Sequence, residues 1–333
     1  MSRPRLIVCA GSALFGSFFS AEQRRRLSRR FDWLRDGARK ISGLKNLSHA
    51  QGLITTWDSP SFSQDLLQLA PNLRIIAHCG GEVKARFARQ LFKDLTITNA
   101  PAPMARATAE MGAALLLYCA RNIDFYRGEL RRRSNRIYQN LHLYGTNESI
   151  VGREVAMIGF GRIGRALVDL LRGFDLRWSV YDPYASKSLT RKYPAQFVGL
   201  PELLARGHLL VLTAALTEET RGILNRARLS RLPDGAAIIN IARGGLIDLD
   251  ALTSEVRRGR LHCALDVTDP QEPLPINHPL RRLPGAIVTP HVAAANHQVR
   301  HDIADVVMDD LENFFRGRGV RNRVTTEMLD RMT

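Results

Sequence analysis

Three glycines, an aspartate and a trio of polar residues at the ends of apolar runs carry the chemistry legible in this chain. The glycines stand in Val155-Ala156-Met157-Ile158-Gly159-Phe160-Gly161-Arg162-Ile163-Gly164. The apolar run before Gly159 suits a buried parallel strand. After Gly161, the apolar positions Ile163, Ala166, Leu167, Leu170 and Leu171 repeat at helical spacing. A strand, a glycine turn and a helix in that order form a phosphate cradle. Gly159 permits the tight turn, Gly161 lets the backbone approach a pyrophosphate, and Gly164 allows close helix–strand contact. Arg162 stands beside the pyrophosphate, whose charge the helix N-terminus also favours. Asp182 follows a second apolar run, 18 residues after Gly164. A carboxylate there accepts hydrogen bonds from two ribose hydroxyls and repels a 2′-phosphate, which favours NAD over NADP.

Three later segments each put a polar residue directly after an apolar run, the place where open α/β sheets bind ligands. They hold Arg243 in Ile239-Asn240-Ile241-Ala242-Arg243-Gly244-Gly245, Asp266 and Glu272 in Leu265-Asp266-Val267-Thr268-Asp269-Pro270-Gln271-Glu272-Pro273-Leu274, and His291 in Thr289-Pro290-His291. Arg243 offers a permanently charged planar fork for a carboxylate. His291 can give a proton to a carbonyl oxygen as imidazolium or take one from a hydroxyl as the neutral ring.

The elements that must position these residues follow from pattern. Leu6–Ala10, Gly52–Thr55, Leu73–Ala77 and Leu95–Thr98 read as strands, and Ala21–Arg30 and Ser63–Leu69 as helices. Residues 107–120 read as a helix apolar nearly all round, 121–150 as an Arg-rich extended arm, and Asn296–Phe315 as the last helix. From Val151 an α/β alternation restarts and runs to about His291. The basic start, Met1 to Arg5, followed by apolar residues to Ala21, also has the outline of a secretory signal, but Phe19 stands where a small residue is wanted and a first strand is the favoured reading.

Composition bounds the rest. With 333 residues, two domains are expected, and 45% apolar residues suffice for sizeable cores. The four cysteines show no metal-ligand spacing and no disulfide framework, so no metal is expected and a reducing cytoplasm is the simplest location. No apolar run reaches the roughly 20 residues of a membrane helix. The formal charge is +16, from 42 Arg and 6 Lys against 32 acids. That invites a nucleic-acid or anion-binding alternative, but the triplets Arg24–Arg26 and Arg131–Arg133 are not interleaved with aromatics and no nucleic-acid motif is present.

Taken together, the motifs resemble the D-isomer-specific 2-hydroxyacid dehydrogenase family over essentially the whole length. Besides the glycine motif and the three segments above, the resemblance includes Leu216-Thr217-Glu218-Glu219-Thr220-Arg221-Gly222 and Ala242-Arg243-Gly244-Gly245-Leu246-Ile247-Asp248. It implies NAD-dependent reduction of a small anionic 2-keto acid, with Arg243, Glu272 and His291 as the catalytic set. Glu272 would orient the imidazole and favour its charged form. Glu272 lies one residue beyond the family spacing, where Gln271 stands, so either could pair with His291. The cofactor set would comprise Gly159, Gly161, Arg162, Ile163, Gly164, Asp182, Thr217, Ala242 and Asp266, the last contacting the nicotinamide carboxamide. His78, Gly80 and Gly81 would join Arg243 in holding the substrate. The resemblance further implies an α/β architecture of two doubly wound parallel-sheet domains: a flavodoxin-like substrate domain of residues 1–102 and 293–333, and a Rossmann NAD-binding domain of residues 103–292. A homodimer built on the NAD domain and the 121–150 arm is also implied. The alternative is a dehydrogenase-fold binding protein that senses NAD, or takes up anions or nucleic acid, without significant turnover.

Overall fold

A computed structural model of the chain describes residues 3–37, 40–132 and 149–332. The chain divides into two compact units, one of residues 1–104 and 294–333, the other of residues 105–293.

The first unit holds β1 (Arg5–Cys9), α1 (Ser12–Phe18), α2 (Ala21–Arg30), β2 (Asp32–Asp36), β3 (Gly52–Thr55), α3 (Leu66–Leu69), β4 (Ile75–His78), α4 (Leu91–Asp94) and β5 (Thr96–Asn99). The strands are parallel in the order β2-β1-β3-β4-β5, the flavodoxin-like order, whose direction of winding reverses between β1 and β3. Local sequence explains α2 well. Ser20 accepts from Gln23 N while the Gln23 side chain accepts from Ser20 N, a complete capping box. Glu22 in the first turn and Arg29 and Arg30 in the last complement the helix dipole, and Leu27 is the buried anchor.

The division between units falls within α5 (Pro101–Ala120). In the second unit follow α6 (Ile123–Arg132), β6 (Glu154–Ile158), α7 (Arg162–Leu170), β7 (Arg177–Tyr181), α8 (Lys187–Lys192), β8 (Ala195–Phe197), α9 (Leu200–Arg206), β9 (Leu209–Leu212), α10 (Arg226–Leu229), β10 (Ala237–Asn240), α11 (Leu249–Arg257), β11 (His262–Leu265) and β12 (Ala286–Val288). Its parallel sheet runs β12-β11-β10-β9-β6-β7-β8. Counted from β6, that is the dinucleotide-binding order extended by one strand, with the reversal between β6 and β9. Successive residues alternate between the two faces, and both are covered. Ile158, Leu212, Ile238 and Leu265 join one core; Met157, Val211, Ile239 and Ala264 join the other. The chain returns to the first unit in α12 (His297–Phe315), which Asn296 caps through Val299 N.

Three sequence readings are corrected. β2, Asp-Trp-Leu-Arg-Asp, is absent from the expected strands, because an edge strand with a solvent-facing side has no apolar run to reveal it. The helix expected over Ser63–Leu69 is confined to Leu66–Leu69. The expected extended arm begins instead with α6, an amphipathic helix; residues 133–148 of that arm lie outside the described residues.

Candidate active site

The cradle forms at the switch point of the second sheet. Gly159 ends the turn after β6 with φ +88°, and a Cβ there would lie 2.5 Å from both the Cα and the N of Ala214 in the loop after β9. The Thr213 hydroxyl donates to Gly159 O at 2.6 Å, fixing the two loops to each other. Gly164 is tight as well: a Cβ would meet Met157 Sδ at 2.8 Å and Thr213 Oγ1 at 2.9 Å. Around Gly161 the situation is opposite, since a Cβ there meets nothing within 4 Å. Its backbone borders open space at the start of α7, whose first-turn N–H groups no side chain caps. Unspent donors on a surface kept free of side chains fit a bound pyrophosphate.

Asp182 follows β7. Its Oδ2 accepts from Phe160 N at 2.7 Å and its Oδ1 from Tyr184 N at 2.9 Å, which ties the acid to the glycine turn. The Tyr184 hydroxyl also hydrogen-bonds Glu219, a link across the cofactor loops that no sequence motif announces. Arg162 is exposed, whereas Ile163 packs on the core beneath the helix. Thr217 N donates to Thr220 Oγ1 at 2.8 Å and shapes its own loop.

β10, β11 and β12 lie side by side, and their carboxyl ends bring the polar trio to one edge of the sheet. Arg243 follows β10 on a turn held by buried Asn240, whose Oδ1 accepts from Ala242 N at 3.0 Å and whose Nδ2 donates to Arg243 O at 2.9 Å. The guanidinium donates to Ala242 O at 2.7 Å. Gly244 packs directly on the loop after β11, because a Cβ would fall on the Thr268 carbonyl and 2.5 Å from Asp269 N.

His291 has φ +55°, left-handed and uncommon for a residue with a Cβ. Four hydrogen bonds to the Asp266 position hold its turn. His291 N donates to Asp266 O at 2.8 Å. The Asp266 carboxylate, itself only 1% exposed, accepts from Thr289 Oγ1 at 2.5 Å, Val292 N at 2.9 Å and Ala293 N at 2.9 Å. Asp266 therefore acts first on the histidine turn, a role the sequence alone did not reveal. Its partners there are mostly backbone N–H groups.

The structure brings Glu272 to the ring. Its Oε2 lies 2.7 Å from His291 Nδ1, and its Oε1 accepts from Thr268 N at 3.0 Å. Gln271 contributes only its backbone carbonyl, to the Thr268 hydroxyl at 2.6 Å. With Nδ1 engaged, Nε2 is the nitrogen left for a reacting group. The ring is half exposed, so such a group can reach it.

His78, Gly80 and Gly81 belong to the first unit, at the end of β4. His78 is 1% exposed and its Nδ1 lies 2.9 Å from Thr55 Oγ1. Burial, helped by the Arg86 charge, pushes the ring down to about 3, so it is a neutral core group at ordinary pH. A Cβ on Gly80 would strike His78 Nε2 at 2.6 Å and Trp57 Nε1 at 2.9 Å.

Residues 113–293 match the family model described as the NAD binding domain of D-isomer specific 2-hydroxyacid dehydrogenases. The chain belongs to this family. It is 31% identical over 293 residues to a glyoxylate reductase of Pyrococcus horikoshii, covering 86% of each chain. It is 30% identical over 261 residues to a hydroxypyruvate reductase of Thermotoga maritima, covering 77% of this chain and 81% of that one. Among solved structures it resembles the TT0316 protein of Thermus thermophilus, with a TM-score of 0.77 and 29% identity over 96% of this chain and all of the other. The chain is thus an oxidoreductase of the 2-hydroxy acid class, with two parallel-sheet α/β domains and a site for a nicotinamide dinucleotide. Among the described residues no helix is long and apolar enough to cross a membrane, and no cluster of side chains could hold a metal.

Proposed function

We propose that this protein is an NAD-dependent D-2-hydroxyacid dehydrogenase that works as a 2-keto acid reductase, with residues 103–292 binding the cofactor and residues 1–102 and 293–333 receiving the substrate. The observation that carries the reading is the Glu272–His291 pair, which leaves Nε2 as the proton-donating atom in the same unit as the glycine cradle. A bound nicotinamide would supply hydride to the substrate carbon. Arg243 holds the substrate carboxylate with its planar fork and polarises the adjacent keto oxygen. His291 Nε2 gives its proton to that oxygen as it gains charge, and the Glu272 carboxylate on Nδ1 stabilises the ring while it is cationic. In the oxidative direction the neutral ring takes the hydroxyl proton. Asp266 keeps the turn rigid, and its remaining acceptor capacity is available to the nicotinamide carboxamide. Asp182, tied to the glycine turn through Phe160 N and to Tyr184 N, favours NAD over its 2′-phosphorylated form by charge.

The test is NADH and NADPH oxidation against glyoxylate, hydroxypyruvate, pyruvate and bulkier 2-keto acids. NADH should be preferred by about tenfold or more in kcat/KM, roughly the worth of one unfavourable charge contact. NADH binding without turnover of any member of the panel would overturn the reading.

Glu272→Gln keeps a hydrogen-bonding partner for Nδ1 and removes only the charge. Reduction should slow about tenfold at neutral pH, because a cationic ring would lose its counter-charge. A kcat within about twofold of wild type would show that charge plays no part.

The reading extends to assembly and location. A homodimer through the second unit and the 121–150 segment is supported by α6, which leaves Phe125 54% and Leu130 71% exposed. Cytoplasmic residence is supported by four free thiols, three of them buried.

A further inference from the structure

Thr268 stands three residues past the end of β11 and is 8% exposed. Each of its polar groups is engaged around the proposed catalytic residues. Its N–H donates to Glu272 Oε1 at 3.0 Å, and its hydroxyl donates to Gln271 O at 2.6 Å. Its carbonyl is the group on which Gly244, the neighbour of Arg243, packs. The side chain is β-branched and has few rotamers, so a fixed backbone fixes the hydroxyl as well.

The chain just beyond Thr268 has little else to hold it. Residues 269–273 are all exposed and lie in no helix or strand. Among the described residues none of the five makes a backbone–backbone hydrogen bond, and Pro270 and Pro273 have no N–H to give. The Arg221–Asp269 ion pair, 3.8 Å long and exposed on both sides, adds little. The Thr268 hydroxyl makes the one hydrogen bond to the backbone of this stretch among the described residues. Yet the stretch delivers Glu272 to 2.7 Å from His291 Nδ1. The preceding residue, Gln271, has a side chain of the same length that ends in a carboxamide. A one-residue shift of the loop would therefore present an uncharged group to the ring.

We propose that Thr268 is a positioning residue whose hydroxyl, by closing the loop onto Gln271 O, selects Glu272 over Gln271 as the partner of His291 Nδ1. Thr268 then acts twice on one carboxylate. The hydroxyl sets the backbone from which the Glu272 side chain departs, and the N–H holds Oε1 so that Oε2 meets the ring. The kinetic consequence rests on the dehydrogenase reading above; the placement of Glu272 does not.

The test is Thr268→Val in the full-length protein. It keeps the shape and removes the hydroxyl, and water can take over the carbonyl of exposed Gln271. With NADH and a keto acid that the wild type reduces, kcat should fall about three- to tenfold, the worth of one hydrogen bond, while KM moves less than about twofold. Thr268→Ser, which keeps the hydroxyl, should recover most of the loss. In a Glu272→Ala background nothing is left to position, so the same Thr268→Val change should cost less than about twofold. Hydrogen exchange at the residue-268 amide, which Glu272 Oε1 covers, reads the clamp without turnover. Corrected for the intrinsic rate of Val, that exchange should quicken about threefold or more in Thr268→Val. Unchanged exchange, or a kcat loss as large in the Glu272→Ala background as in the wild type, overturns the proposal. If the wild type reduces no keto acid, the dehydrogenase reading falls and amide exchange alone decides on the clamp. Thr268→Ala carries the same expectations should the Val variant not fold.

Discussion

His291→Asn should lower kcat by about 10²–10⁴-fold, the usual range for losing a positioned general acid, while NADH binding followed by fluorescence should change little. Asn is the informative substitution because the position has φ +55°, which Asn adopts more readily than most residues. The turn, with its backbone bonds to Asp266, is thereby kept, and what disappears is a group that can carry a proton at the Nε2 position. A loss in kcat below about tenfold would remove His291 from the proton-transfer role.

Gly244→Ala should be comparably severe by a different route. The added methyl would lie 2.1 Å from the Thr268 carbonyl carbon and 2.5 Å from Asp269 N, backbone atoms that cannot rotate away. One of two loops must move. One carries Arg243; the other carries Thr268, whose N–H holds the Glu272 carboxylate. Overpacking of this kind costs about 3 kcal/mol at the upper end of its usual range, which in a unit of this size lowers Tm by roughly 6–12 °C. Displacing catalytic groups by about 1 Å costs on the order of 10²-fold in rate, so kcat/KM should fall by at least that factor even below the transition. Wild-type Tm and activity in this variant would mean that the two loops are not in the contact described.

The parts of the site that sequence disclosed are those where chemistry dictates residue type. Gly159 and Gly164 are glycine because a Cβ has nowhere to go, and that necessity is written in the motif. His291 is marked by Thr289-Pro290 and a strand end. Glu272 is favoured in sequence but not separated cleanly from Gln271, because one extra loop residue shifts the spacing; the backbone path, with Thr268 N reaching Glu272 Oε1, brings Glu272 to the ring. Asp266 is readable as important but not for what it holds, since two of the three groups on its carboxylate are N–H groups that every residue but proline possesses. The +16 charge, the most conspicuous number in the sequence, points to no position at all.

The anchoring of the histidine turn has a consequence for how binding energy is used. A keto acid of two to four carbons has few atoms, and even an efficient ligand gains at most about 1.5 kcal/mol from each. Such a molecule cannot both bind and rearrange a loop. Here the fold itself supplies the arrangement: the buried Asp266 holds the histidine turn and Glu272 lies on the ring. On the reductase reading proposed above, the substrate's small contribution would then be left for the transition state, and a compact acid would suffice where a larger one would otherwise be required.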